Sequence, residues 1–289
     1  MIELLTEIGF TEEQLELYKS YKAQYKDKLD EIKSDYLNQK ININEALQAA
    51  KDTLPDVHPH TVELLFVIEC FPAMKENHLK KGLSEKIFLD SARDLTYKIR
   101  ECYDLTGVFG IRVGWWYDRF IFATRLTFSR LQYDVNVYGG ETVEYAGNTL
   151  EKGDFVLDCH IHSGGRLLEE DCIASYREAW EFFRDKTKNG VLPIICLSWL
   201  LFPDYMAVFG ENSNTGRFAR HFYIYRTDCD ESRASAVLNN VFNTTEFSDK
   251  LPCDTSMQRK FIEYFKTSKS FGIGAGVIFF DGESILTKR

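Results

Sequence analysis

Phe155-Val156-Leu157-Asp158-Cys159-His160-Ile161-His162, followed at once by Ser163-Gly164-Gly165-Arg166, is the stretch on which the fold turns. Its first part alternates as a strand does. The paired glycines then break it, and from Asp171 to Asp185 the residues Cys172, Tyr176, Ala179, Trp180 and Phe183 recur at helical spacing on one face. The next apolar run, Ile194 to Leu201, is bounded by Pro193 and Pro203 and reads as a buried central strand. Strand, loop, helix and strand in that order make a βαβ unit, whose two strands must lie parallel.

Outward from this unit the texture differs on the two sides. Upstream, Arg125 to Val135 alternates as one long strand, Gly139-Gly140 turns the chain back, and Thr142 to Tyr145 returns. Further upstream the pattern is helical. Thr11 and Gln14 form a capping box for one long amphipathic helix through Tyr18, Tyr21, Tyr25, Leu29, Ile32 and Tyr36. Further helices are expected near Asn44, after His58-Pro59-His60, and from Ser84 to the stop at Gly107. Trp115, Trp116, Tyr117, Phe120 and Phe122 supply a block of large buried rings. Downstream come short helices at Asp204 to Phe209 and Thr215 to His221, a strand at Phe222 to Arg226, a helix capped by Asp254, and a closing strand from Phe271 to Phe280. The expected class is α+β, with a helical domain over residues 1–122 and a mixed-sheet domain flanked by helices over 123–289.

Composition narrows the function classes. The 35 basic and 44 acidic side chains leave a net charge of −9, which argues against broad contact with a phosphate backbone, so nucleic acid is not an expected partner. The seven cysteines are scattered without a C-x-x-C pair and read as reduced thiols. Met1 to Glu7 lacks a secretory pattern, and the longest uncharged apolar stretch, Val191 to Pro203, falls short of the roughly 18 residues that span a bilayer. The expected location is the cytoplasm, away from membranes.

Several constellations carry chemistry. His160 and His162 stand two apart on the expected strand and would share a face, which leaves three readings open: the polar end of a strand, a metal pair, or an acid or base at His160. A cupin-like metal site would also need a nearby carboxylate and more strands. Gly164-Gly165-Arg166 lies where a strand passes into a helix, so its amides either cradle a phosphate or form a plain turn. Gly272, Gly274 and Gly276 do not make a dinucleotide motif, because no helix follows, and tight packing explains them better. Ser198 lacks the flanking glycines of a hydrolase elbow, and no P-loop occurs. His78-Leu79-Lys80-Lys81 reads as a solvated surface.

In chain order, Arg130-Leu131-Gln132-Tyr133, Asp158 to Gly165, Ser198-Trp199-Leu200, Asn212-Ser213-Asn214 with Phe218, and Leu251-Pro252-Cys253-Asp254-Thr255 with Gln258 resemble a bacterial family of acyltransferase domain-containing proteins. These combine a helical N-terminal domain with a GNAT-like C-terminal domain. The resemblance implies two parallel strands, Phe155 to His162 and Ile194 to Leu200, that part to admit the pantetheine arm of an acyl-CoA. It also implies a pyrophosphate loop, so that Ile161, His162, Ser163, Gly164, Gly165 and Arg166 become the expected cofactor-binding residues. The superfamily's phosphate motif, [QR]-x-x-G-x-[GA], is kept here only at its first glycine. The leading expectation is transfer of an acyl group from acetyl-CoA or another acyl-CoA to a small-molecule amine. His160 would be the base, and Ser198 or Tyr205 would protonate the departing thiolate. A non-catalytic GNAT-like binding module and a metal-dependent enzyme using His160 and His162 remain as alternatives.

Overall fold

The computed structural model describes residues 1–288 except 26, 245, 249 and 269. They form two compact units: Met1–Thr127 together with His162–Gly164, and Phe128–Ile161 together with Gly165–Arg289.

The first unit is helical: α1 (Ile2–Ile8), α2 (Glu12–Gln24), α3 (Asp30–Leu37), α4 (Ile43–Thr53), α5 (Pro59–Glu69), α6 (Phe71–Lys80), α7 (Glu85–Thr106) and the single turn α8 (Asp118–Ile121). The capping box at Thr11 and Gln14 is present. The long helix expected to follow it is instead two, because Asp27 adopts a left-handed backbone (φ 64°) that no α-helix can carry. Asn42 and Glu45 form a second capping box at the head of α4. Ser84 caps α7, and left-handed Gly107 ends it. Helix α5 is buried almost all round, and Tyr18, Tyr36, Phe66, Phe71, Phe88, Tyr117 and Phe120 pack in the same core. The basic run at the end of α6 is not simply solvated. His78 is fully buried, and Lys81 donates to the carbonyls of Phe122 and Ala123.

Strand β1 (Arg125–Phe128) leads into the second unit. There β2 (Leu131–Val137), β5 (Phe155–His160), β6 (Leu192–Ser198), β8 (Gly272–Phe280) and β7 (Tyr223–Cys229) lie side by side in that order, and β3 (Val143–Tyr145) and β4 (Asn148–Leu150) form a separate hairpin. The expected single strand over Arg125 to Val135 is broken because Ser129 takes a left-handed conformation (φ 52°), which reverses the chain between β1 and β2. Among the described pairs β5 and β6 alone run parallel, as the crossover through α9 (Glu169–Phe182) requires. Four shorter helices complete the unit: α10 (Met206–Phe209), α11 (Asn214–Ala219), α12 (Ala234–Phe242) and α13 (Ser256–Thr267). The cap of α13 is Thr255, in a capping box with Gln258, and not Asp254.

Strand parity sorts the second unit's core. Tyr133 bonds Ser175 and the Cys159 thiol is fully buried on the α9 side, whereas Val156, Val277 and Phe279 pack with Tyr138, Val143 and Leu150 on the other. The glycines of β8 are there for close approach. A Cβ on Gly272 would stand 2.4 Å from the Phe202 ring, and one on Gly274 would stand 2.2 Å from the Leu201 carbonyl oxygen.

Candidate active site

Two ladder pairs, Leu157↔Ile194 and Asp158↔Ile195, are all that join β5 to β6. Beyond them β5 runs on through Cys159 and His160, and β6 through Cys196, Leu197 and Ser198, with none of these residues in register across the gap. The main-chain groups on the two inner edges are therefore left without ladder partners on each other. Cys159 and Cys196 face one another where the ladder stops, and burial pushes the Cys159 thiol well above its usual range, with Cys196 reinforcing the shift. The Cys159 thiol is therefore neutral.

Alongside it lies a cleft of about 830 Å³, within the size range of small-molecule sites. Asn136, Asp158, Ile195, Cys196, Leu197 and Ala275 line its sheet wall, the turn at Tyr138 to Glu144 overhangs it, and Tyr223 and Tyr225 close the far side. Burial, with Tyr138 second, raises the Tyr225 phenol, so it offers a neutral hydroxyl. The apolar floor is unusually open for a central strand: Leu197 is 55% exposed.

His160 closes β5 on the face that carries Asp158 and Val156. Register with β2 puts Gln132 opposite His160 and Asp134 opposite Asp158, on that same face. The His160 Nε2 atom lies 3.1 Å from Oδ2 of Asp134, whose residue is 4% exposed. With that carboxylate accepting, Nε2 is the donor of this contact. An imidazole against a buried carboxylate is chemically suited to proton transfer. Asp134 was missed from sequence, although its place on the inner face of a long alternating segment was a signal.

The strand ends at His160, and His162 stacks on Tyr97 with ring centres 4.8 Å apart while its Nδ1 accepts from the Gly164 amide. Among the described residues no group of three or more His, Cys, Asp or Glu side chains is placed to hold a metal ion.

The expected phosphate loop divides. Ser163 receives Arg100 on both its carbonyl and hydroxyl oxygens at 3.3 Å, and a Cβ on Gly164 would stand 2.2 Å from the Tyr97 ring, so packing within the helical unit accounts for His162, Ser163 and Gly164. Ile161 precedes the bend and is half-buried. Gly165 is left-handed (φ 75°) with open space where a side chain would be, and Arg130 donates to the carbonyls of Gly165 and Arg166 at 3.1 and 3.0 Å. Among the described residues the amides of Gly165, Arg166 and Leu167 have no intramolecular acceptor. Those groups, and the first turn of α9 behind them, offer donors to an anion, although Glu169, Glu170 and Asp171 set negative charge in that turn.

The two expected proton donors sit apart from this. Ser198 ends β6 two residues beyond Cys196, and its oxygen accepts from the Leu200 amide at 3.2 Å, leaving its O–H as a donor. Tyr205 is fully buried among Trp199, Phe202, Phe209, Phe261 and Tyr264, and it does not line the cleft. Burial pushes its phenol up to about 12, and its oxygen accepts from the Gly272 amide.

Comparison with known proteins places this geometry. No helix among the described residues is long and apolar enough to cross a membrane. No curated protein matches the chain in sequence. Among solved structures, an acyltransferase in complex with decanoyl-CoA and teicoplanin shares the fold at a TM-score of 0.74 and 16% identity, over 96% of this chain and 86% of that one. An acyltransferase mutant in complex with octanoyl-CoA superposes at 0.73 and 16% identity, over 95% and 86%. A third, an acyltransferase in complex with CoA and 10C-teicoplanin, matches at 0.65 and 19% identity, and the alignment spans 76% of this chain and 66% of that one. Residues 1–122 match the N-acyltransferase N-terminal domain, and residues 126–278 match the GNAT-like C-terminal domain. The chain thus belongs to the family built on the GNAT-like C-terminal domain, here preceded by an N-acyltransferase N-terminal domain.

Proposed function

We propose that this chain is an acyl-CoA-dependent N-acyltransferase acting on a small-molecule amine. The observation that carries the reading is the His160–Asp134 pair, set on the cleft face of β5 at the point where its ladder with β6 stops. The proteins of similar fold hold CoA, octanoyl-CoA or decanoyl-CoA, two of them together with teicoplanin or its 10C form, which supports an acyl-CoA donor and a small-molecule acceptor.

The residues present fit that donor. The inner edges of β5 and β6, which stop pairing with each other beyond Asp158 and Ile195, suit the amide groups of a pantetheine arm, and the neutral Cys159 thiol suits a thioester. Gly165, Arg166 and the amide of Leu167 would meet the diphosphate, while Ile161, His162, Ser163 and Gly164 shape the bend ahead of them. In the reaction the acceptor nitrogen attacks the thioester carbonyl, whose oxygen is polarised by an inner-edge N–H. His160 takes the proton from that nitrogen as the C–N bond forms, and Asp134 stabilises the imidazolium. The C–S bond then breaks, the CoA thiolate takes a proton from Ser198, and solvent carries the imidazolium's proton back to the serine oxygen, so that both groups are restored.

Titration calorimetry with CoA and a series of acyl-CoAs tests donor binding, and release of free thiol with a panel of amines tests transfer. Absence of heat at millimolar CoA would end the proposal. Binding without turnover on any amine would favour a non-catalytic module.

A further inference from the structure

Arg130 is 8% exposed, and its guanidinium forks onto two consecutive carbonyls, with Nη2 on Gly165 and Nε on Arg166. A buried cation is costly to desolvate, so the place where it spends its donors is informative. Its own segment is fixed first: Ser129 donates to Glu178 at 2.8 Å, and Tyr133 bonds Ser175 at 2.8 Å, both on α9. The turn between β1 and β2 is therefore tied to the helix that the loop enters, and Arg130 is set between them.

The consequence follows from peptide geometry. In a planar trans peptide the C=O and the next residue's N–H point in opposite directions, and no cis bond occurs among the described residues. Holding the Gly165 oxygen turns the Arg166 N–H away from Arg130, and holding the Arg166 oxygen does the same for Leu167. Both amides lack an acceptor among the described residues. The guanidinium behind them also adds positive potential along the two peptide dipoles, offsetting the carboxylates of the first turn of α9.

Resting on the acyl-CoA reading above, we infer that Arg130 is a positioning residue for the CoA diphosphate: it touches no ligand atom but aims the amides of Arg166 and Leu167 at it. The loop keeps only part of the superfamily's glycine pattern, and a charged clamp from the turn between β1 and β2 supplies the rigidity that the missing glycine geometry would otherwise give.

The test compares CoA with pantetheine, which has the same thiol arm but no diphosphate, by calorimetry on the full chain. Arg130→Gln is expected to weaken CoA and so lower the ratio of CoA to pantetheine affinity by on the order of tenfold, the scale on which partners one contact removed from a ligand act. Arg130→Lys keeps the charge but replaces the planar fork with a single donor nitrogen. It should give an intermediate ratio, and it decides the matter if the glutamine variant does not fold. Equal loss of both ligands, or an unchanged ratio in either folded variant, overturns the assignment. Failure of the wild-type chain to bind CoA instead overturns the function on which it rests.

Discussion

Asp134 and His160 face each other across the β2–β5 ladder, the carboxylate 3.1 Å from Nε2, because both lie on the cleft side of an antiparallel pair whose register offsets them by one alternation. If this pair is the catalytic base, His160→Ala should lower kcat by about 10²–10⁴-fold. Asp134→Asn should lower it less, with the Kd for acyl-CoA retained in both. The double variant should be no slower than His160→Ala alone, since Asp134 acts only through the imidazole. Additive losses would show that the carboxylate has a separate role.

Gly164 is needed because of Tyr97. A methyl group there would stand 2.2 Å from the ring, so Gly164→Ala should cost about 1–3 kcal/mol of stability. In a Tyr97→Ala background the same substitution should cost much less. A thermal or urea denaturation cycle on the four proteins measures the coupling.

Gly274 and Gly165 make a second contrast. At Gly274 the obstacle is the main-chain oxygen of Leu201, which has little room to move, and Gly274→Ala should be among the most disruptive glycine substitutions in the second unit. Gly165→Ala meets nothing within 4 Å and bears only the cost of a left-handed backbone, about 1 kcal/mol. Comparing the two midpoints separates contact from conformation.

His78 and His221 are both fully buried, and burial lowers each to about 4 from the ordinary 6.5. The unfolded chain binds protons at these sites before the folded one does, so stability is full above pH 6.5 and is lost as pH falls towards 4. For His221 the nearby charges divide: Glu169 raises it, while Lys288 and Arg220 lower it. His221→Gln should flatten the acid side of the melting-temperature profile between pH 6.5 and 4 by a few degrees, on the order of 2–4 °C for each kcal/mol removed. An unchanged acid slope would mean that other groups dominate.

The amino-acid sequence alone determined the class and the order of elements, because hydrophobic period and capping residues act over a few positions. Thr11 with Gln14, Ser84 with Gly107, and the passage from Phe155 through Gly164-Gly165 to Ile194 each carry their meaning locally. Left-handed residues did not show in this way: Asp27 and Ser129 are ordinary side chains that can also continue a helix or a strand, and only their surroundings chose otherwise. The site needed the tertiary structure still more. Which carboxylate meets His160 depends on strand register, the His162 ring stacks on Tyr97, Tyr205 sinks into an aromatic cluster, and Arg130 reaches a loop distant in sequence. These are contacts between segments, decided by packing, and no spacing along the chain encodes them.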